Sequence, residues 1–203
     1  MSFQPASGTV LNRRIAGEGD LLLTLFLRGT GTVFASARGG GAGKVRFGGG
    51  TEPLVWGAFS LYESKGRRHV RSVDVADAMP RLRGKPEALL AAARWARLLT
   101  RRLPMEHPDD QLLANLYWCM KLLDEGFPAP AAEWRFLWRW LKSWGLAPGW
   151  EAFRGPDTET LRRTAAARTE DLAGSPGDWG ALAGRAALFA DAARRAEFFL
   201  RET

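Results

Sequence analysis

The sequence predicts an α+β protein in two domains, a small β domain followed by an all-helical one. Three observations carry this. From Gly8 to Val75 apolar and polar residues alternate with period two, and turn residues interrupt them at roughly 8–12-residue intervals. From Pro80 onward apolar residues recur with helical spacing instead. Between the third and fourth extended segments lies Arg38 to Gly50, RGGGAGKVRFGGG, with three cations, seven glycines and no acid.

Gly8 to Arg14 is a first strand ending in the Arg13-Arg14 pair, and Ala16 to Gly19 connects it to the next. Asp20 to Arg28 is a second strand. It places Leu21, Leu23, Leu25 and Leu27 on one face and Leu22, Thr24 and Phe26 on the other. Gly29-Thr30-Gly31 turns the chain into a third strand, Thr32 to Ala37. After the glycine loop, Pro53 opens a fourth strand over Leu54 to Glu63, since proline is tolerated where a strand starts. Ser64-Lys65-Gly66 leads to a fifth strand, Arg67 to Val75. Five short strands in a meander predict a partly closed barrel of the OB type over residues 1–79; an SH3-like barrel shares the pattern.

The helical domain covers residues 80–203. Its first long helix runs from Pro86 to Leu103, with Leu89, Ala92, Ala96, Leu99 and Leu103 on one face and Arg94, Arg97 and Arg101 on another. Asp109-Asp110 cap a second, stopped by Gly126 and Pro128. A third spans Ala131 to Trp144, a fourth runs from Asp157 or Thr158 to Leu172, and a last from Asp178 to Arg201. In the third, Trp134, Leu137, Trp138, Leu141 and Trp144 have core spacing, while Arg135, Arg139 and Lys142 form a basic stripe with Phe136 and Trp140 beside it. Core packing accounts for most of these aromatics. The sharper expectation is a surface groove of Arg135, Phe136, Arg139 and Trp140 that receives an apolar acidic peptide.

The formal net charge is +7, from 29 Lys and Arg against 22 Asp and Glu, which favours a polyanionic partner. Residues 1–71 hold ten of these cations and four acids. The cations cluster at Arg13-Arg14, at Arg38, Lys44 and Arg46, and from Lys65 through Arg67 and Arg68 to Arg71. On the loops of a small barrel they fit a groove that tracks a phosphate backbone, with Phe34 or Phe47 available to stack on bases, although core burial is the simpler role for Phe34.

No catalytic constellation is legible, so a non-enzymatic protein is expected. GGGAGKV departs from a phosphate-binding loop at both ends, where Arg38 and Val45 stand. His69 and His107 are the only histidines, and Cys119 the only cysteine, a small apolar residue in a helical pattern. Neither a metal nor another cofactor is called for. Helix capping explains Asp109 and Asp110 more simply than magnesium does. No apolar run reaches membrane-spanning length, and Met1 to Ser7 lacks a secretory pattern, so a cytoplasmic protein with no membrane partner is expected.

These residues also carry a resemblance. Gly8-Thr9-Val10-Leu11, Gly17-Glu18-Gly19-Asp20, Leu22 to Phe26, Gly31 to Gly39, Arg46 to Gly49 and Glu52-Pro53, with the later FLWRWLKSWGLAP from Phe136 to Pro148, resemble the RecO family of bacterial recombination mediators. The resemblance covers residues 8–150. It implies an N-terminal OB fold and a helical domain that bind single- and double-stranded DNA. It also implies work with RecR, and capture of the acidic C-terminal tail of single-stranded DNA-binding protein, so that strands anneal or RecA loads. DNA contact would fall on Arg13, Arg14, Arg38, Lys44 and Arg46, matching the charge clusters. Many members carry a four-cysteine zinc module after the G-L-x-P stretch; here WEAFRG follows, without cysteine. The expected function is thus a DNA-binding recombination mediator. The alternatives are a protein-only adaptor working through the tryptophan-rich helices and an RNA-binding OB protein.

Overall fold

The computed structural model describes residues 5–17, 19–41, 46–153, 155–173 and 179–201. By internal contacts the chain forms two compact units, residues 1–79 with 92–113 and residues 80–91 with 114–203.

The first unit is built on a closed barrel of five strands, β1 (Ala6–Ala16), β2 (Asp20–Leu27), β3 (Gly31–Ala37), β4 (Trp56–Ser64) and β5 (Arg67–Asp77). Its order, β1-β2-β3-β5-β4, is that of an OB barrel rather than a simple meander. β1, β2 and β3 follow one another antiparallel, β4 crosses to pair with β1, and β5 closes against β3 in parallel. The alternation in β2 is what fills the barrel. Leu21, Leu23, Leu25 and Leu27 join Val33, Ala35, Phe59, Leu61 and Val70 in one buried cluster. Phe26, on the other face of β2, is buried too.

α2 (Pro86–Arg102) and α3 (Asp110–Glu125) each contribute to both units. Within the first unit the segment between them is tied to the barrel. Met105 bridges Thr32, the Glu106 amide donates to the Thr32 carbonyl at 2.9 Å, and the Gly29 amide donates to Asp110 Oδ1 at 2.8 Å. Gly31 lies so close to the His107 backbone that a Cβ would stand 2.3 Å from its carbonyl oxygen, so only glycine fits there. Asp109 caps α3 through the Leu112 amide at 2.9 Å.

The second unit adds the short α1 (Pro80–Arg83), α4 (Ala129–Ser143), a 3-10 turn at Trp150–Phe153, α5 (Thr158–Ala166), α6 (Thr169–Ala173), α7 (Trp179–Ala183) and α8 (Ala186–Arg201). The fourth and last predicted helices are thus each interrupted, between Ala166 and Thr169 and between Ala183 and Ala186. Trp134, Trp138, Trp150 and Phe153 pack as an aromatic cluster, with Trp138 stacked on Trp150 at 4.3 Å and Trp134 5.0 Å from Phe153. The Trp134 indole N–H donates to the Leu161 carbonyl at 2.9 Å.

Candidate nucleic-acid interface

Neighbouring residues on a strand point to opposite faces, and this separates the two arginine pairs. Arg13 forms an ion pair with Glu52 at 2.5 Å, and Arg68 one with Glu106 at 2.5 Å. The Arg68 hydrogen bond and charge hold the Glu106 carboxyl below its usual range. Their neighbours Arg14 and Arg67 are exposed and have no ion-pair partner among the described residues. Of the four arginines in these two pairs, two are therefore matched by acids and two face solvent.

The strand registers carry Arg14 into one row around the outside of the barrel. Arg14 lies opposite Leu22, Leu22 opposite Ser36, Ser36 opposite His69 and His69 opposite Tyr62. Leu21 and Leu23 beside Leu22, Ala35 and Ala37 beside Ser36, and Val70 beside His69 belong to the core, which fixes this row outward. Tyr62 stacks on His69 at 5.1 Å, and the Arg71 guanidinium sits 5.9 Å from the Tyr62 ring centre. Phe34 lies two residues before Ser36 on the same outer face and is 51% exposed. Phe47 shows the reverse, being 7% exposed and part of the barrel core. Core burial for Phe34 is thus overturned: its partner Thr24 points outward, so Phe34 does too. Tyr62 was missed as a candidate, although period-two alternation through β4 could have found it; His69, stacked beneath it, is 5% exposed and offers little surface.

The glycine loop is tied down at its described ends. The Gly39 amide donates to Asp20 Oδ1 at 2.7 Å and the Gly41 amide to the Gly19 carbonyl at 2.8 Å. Arg46 donates to the Arg38 carbonyl at 2.9 Å, and its guanidinium lies 5.3 Å from the Phe47 ring centre. Gly50 packs on Val73, where a Cβ would fall 2.7 Å from Cγ1. Arg38 and Arg46 are exposed, so the structure places them at the end of the barrel formed by Ala37 and Asp20. Lys44 lies outside the described residues.

The expected peptide groove is corrected by burial. Arg135, Phe136 and Trp140 are all 0% exposed and offer no surface. Arg135 Nη1 donates to the Thr164 and Ala165 carbonyls at 2.9 and 3.3 Å, and Nη2 to Thr169 Oγ1 at 3.2 Å. Arg139 donates to the Ala165 and Ala167 carbonyls at 3.1 and 3.0 Å. These are the terminal carbonyls of α5, which have no partner inside their own helix and carry the negative end of its dipole. The two arginines serve as that helix's cap. Burial lowers the Arg135 pKa to about 10 and raises that of Cys119, in the same interior, to about 11. An i, i+4 spacing reads the same for a solvent stripe and an internal cap. The available signal was that α4 is apolar on nearly every side of Arg135.

Among the described residues, no group of three His, Cys, Asp or Glu is placed to hold a metal ion, and no helix is long and apolar enough to cross a membrane.

A family model described as the recombination protein O N-terminal region matches residues 1–79, the span that holds the five barrel strands. The DNA repair protein RecO of Anaeromyxobacter sp. (strain K) is 36% identical over 149 residues, 72% of this chain and 58% of the relative. That of Heliobacterium modesticaldum is 31% identical over 148 residues, 73% of this chain and 54% of its own length. That of Exiguobacterium sp. is 28% identical over 146 residues, 72% and 59% respectively. The chain therefore spans little more than half the length of these relatives. Barrel topology and shared sequence agree: the chain belongs to the RecO family.

Proposed function

We propose that this chain is a non-enzymatic, DNA-binding mediator of recombinational repair, acting in the cytoplasm. It would bind single- and double-stranded DNA, anneal strands, and with RecR help RecA load onto DNA coated by single-stranded DNA-binding protein. In this reading residues 1–79 are the nucleic-acid-binding domain, and the helical residues 80–203 serve partner proteins, including the acidic tail of single-stranded DNA-binding protein. Membership of the family supports the repair role.

The observation that carries the reading is the outer row of the barrel. Arg14 and Arg67, without an ion-pair partner among the described residues, share the outer face with a half-exposed Phe34, with Tyr62 and Arg71 farther along. Guanidinium groups attract phosphates regardless of sequence, and an exposed ring stacks on any base, so the chemistry is sequence-tolerant and salt-sensitive. Arg38 and Arg46 extend the cationic surface at the barrel's end, Lys44 adds a charge to the sequence of the same loop, and Arg13 and Arg68, each held by an acid, contribute less. The protein partners rest on family membership alone; the buried Arg135, Phe136 and Trp140 are not their site.

The test is fluorescence anisotropy of labelled single-stranded DNA titrated with the full chain at several salt concentrations, with and without an acidic peptide mimicking the tail. Binding that falls steeply with salt supports the reading. Absence of DNA binding with the peptide still bound refutes it in favour of a protein-only adaptor. Stronger competition by RNA than by DNA would make this an RNA-binding barrel.

A further inference from the structure

The most exposed large apolar side chain among the described residues is Ile15, 79% exposed near the end of β1. An isolated exposed leucine or isoleucine usually needs no explanation, but the placement of this one is built. β1 pairs with β4 only from Ala6 to Thr9; beyond that, residues 12–16 pair with β2 alone. A bulge between Val10 and Asn12 shifts the register and turns this arm out of the closed barrel. Ile15 lies opposite Leu21, which is 4% exposed because Gly40 and Gly41 of the basic loop pack on it. The arm does not hang free. Its turn is held by the Gly41 amide on the Gly19 carbonyl at 2.8 Å and the Gly39 amide on Asp20 Oδ1 at 2.7 Å.

Around Ile15 stand cations. Arg13 shares its face, Arg14 precedes it on the edge, and Arg38 begins the loop hydrogen-bonded to the same turn. A purely apolar partner would strand these charges, while a simple anion would leave Ile15 in water. The ligand chemistry that satisfies both is an anionic chain with flat apolar faces, which is single-stranded nucleic acid. A β-branched side chain on a braced hairpin loses little rotamer freedom on contact, which suits it to wedge against a base. We infer that Ile15 packs on an unpaired base of a strand whose phosphates are held by the neighbouring arginines. A strand following the outer row as far as Arg14 reaches Ile15 as it turns over the edge of the arm.

This inference rests on the nucleic-acid-binding reading, and its test separates the two. The full-length chain and its Ile15→Ala variant are titrated into a single-stranded oligonucleotide carrying 2-aminopurine, whose fluorescence rises when the base is unstacked. Circular dichroism checks that the variant folds, which the exposure of Ile15 leads us to expect. The expected result is a fluorescence rise with the wild-type chain. Ile15→Ala should lose most of that rise and bind roughly tenfold more weakly, as the loss of part of a buried aliphatic contact implies. Its salt dependence should not change, since no charge is removed. A variant with unchanged affinity and a full rise overturns the wedge and leaves the DNA-binding reading standing. Failure of the wild-type chain to bind the oligonucleotide overturns both. A change of sedimentation in Ile15→Ala, with the oligonucleotide signal intact, assigns the arm to a protein interface and overturns the wedge as well.

Discussion

The division of the arginine pairs makes a quantitative prediction. Arg14 and Arg67 face solvent with no acid paired to them among the described residues, whereas Arg13 is held by Glu52 and Arg68 by Glu106. Two double variants therefore separate, Arg14→Gln with Arg67→Gln against Arg13→Gln with Arg68→Gln, although each removes two positive charges from the same barrel. For single-stranded DNA each neutralised phosphate contributes about 0.7 to the slope of log affinity against log salt, so losing Arg14 and Arg67 should flatten that slope by about 1.4. Over a fourfold change in salt that difference amounts to about sevenfold in relative affinity. The second double variant removes cations already neutralised by neighbours, and the slope should move by less than half as much. Anisotropy titrations of a labelled oligothymidine between 50 and 200 mM salt, about the range over which such slopes are resolved, give both slopes directly. Equal flattening in the two variants, or a larger effect from Arg13 and Arg68, would refute the reasoning: the ion pairs would then open on binding, or the DNA would lie elsewhere.

Phe34→Ala should weaken single-stranded DNA binding by about 1–3 kcal/mol, the usual worth of a stacked base, with little change in melting temperature. Phe47→Ala should instead cost about 3–5 kcal/mol of stability, read by urea denaturation, because that ring fills the barrel core. Arg135→Ala should destabilise the chain by about 3–5 kcal/mol in the same assay, since it leaves the Thr164 and Ala165 carbonyls without their buried donor. Glu106→Gln should free Arg68 and tighten DNA binding in the anisotropy assay. Because the folded Glu106 pKa is depressed, the pair's contribution is present above the unfolded carboxylate pKa and lost only as pH falls through the lower folded value. Titration of the Glu106 carboxyl by NMR should accordingly give a midpoint below that of an unperturbed glutamate.

Much of the fold is legible in the sequence because its periodicities are local. The leucines of β2 name their own face, and the switch at Pro80 marks the first helices. The barrel's closure is less legible. β4 returns to β1 and β5 to β3 across long separations, and nothing near Ser36 announces His69 as its neighbour. The same limit governs the site. Alternation alone puts Arg13 and Arg14 on opposite faces, but which of them meets an acid depends on Glu52, 39 residues away. Arg135 is the extreme case, because its partners begin 29 residues downstream and its own spacing suits a surface stripe equally well. The interruptions of the C-terminal helices were missed for a related reason: Ala167 and Arg168 are good helix formers, and only the arginine cap shows where α5 stops.

The parallel closure of β3 on β5 rests on one registered pair, Ser36 with His69, whereas β2 and β3 pair through seven. The barrel thus has a seam, and local opening is easiest where the ladder is thinnest. The outer row crosses that seam at its midpoint. A ligand lying along the row would staple it shut, so occupancy and barrel closure become thermodynamically linked. Amides beside Ser36 and His69 should then exchange with solvent more slowly when the row is occupied, which turns the weakest stitch of the barrel into a sensor of what lies across it.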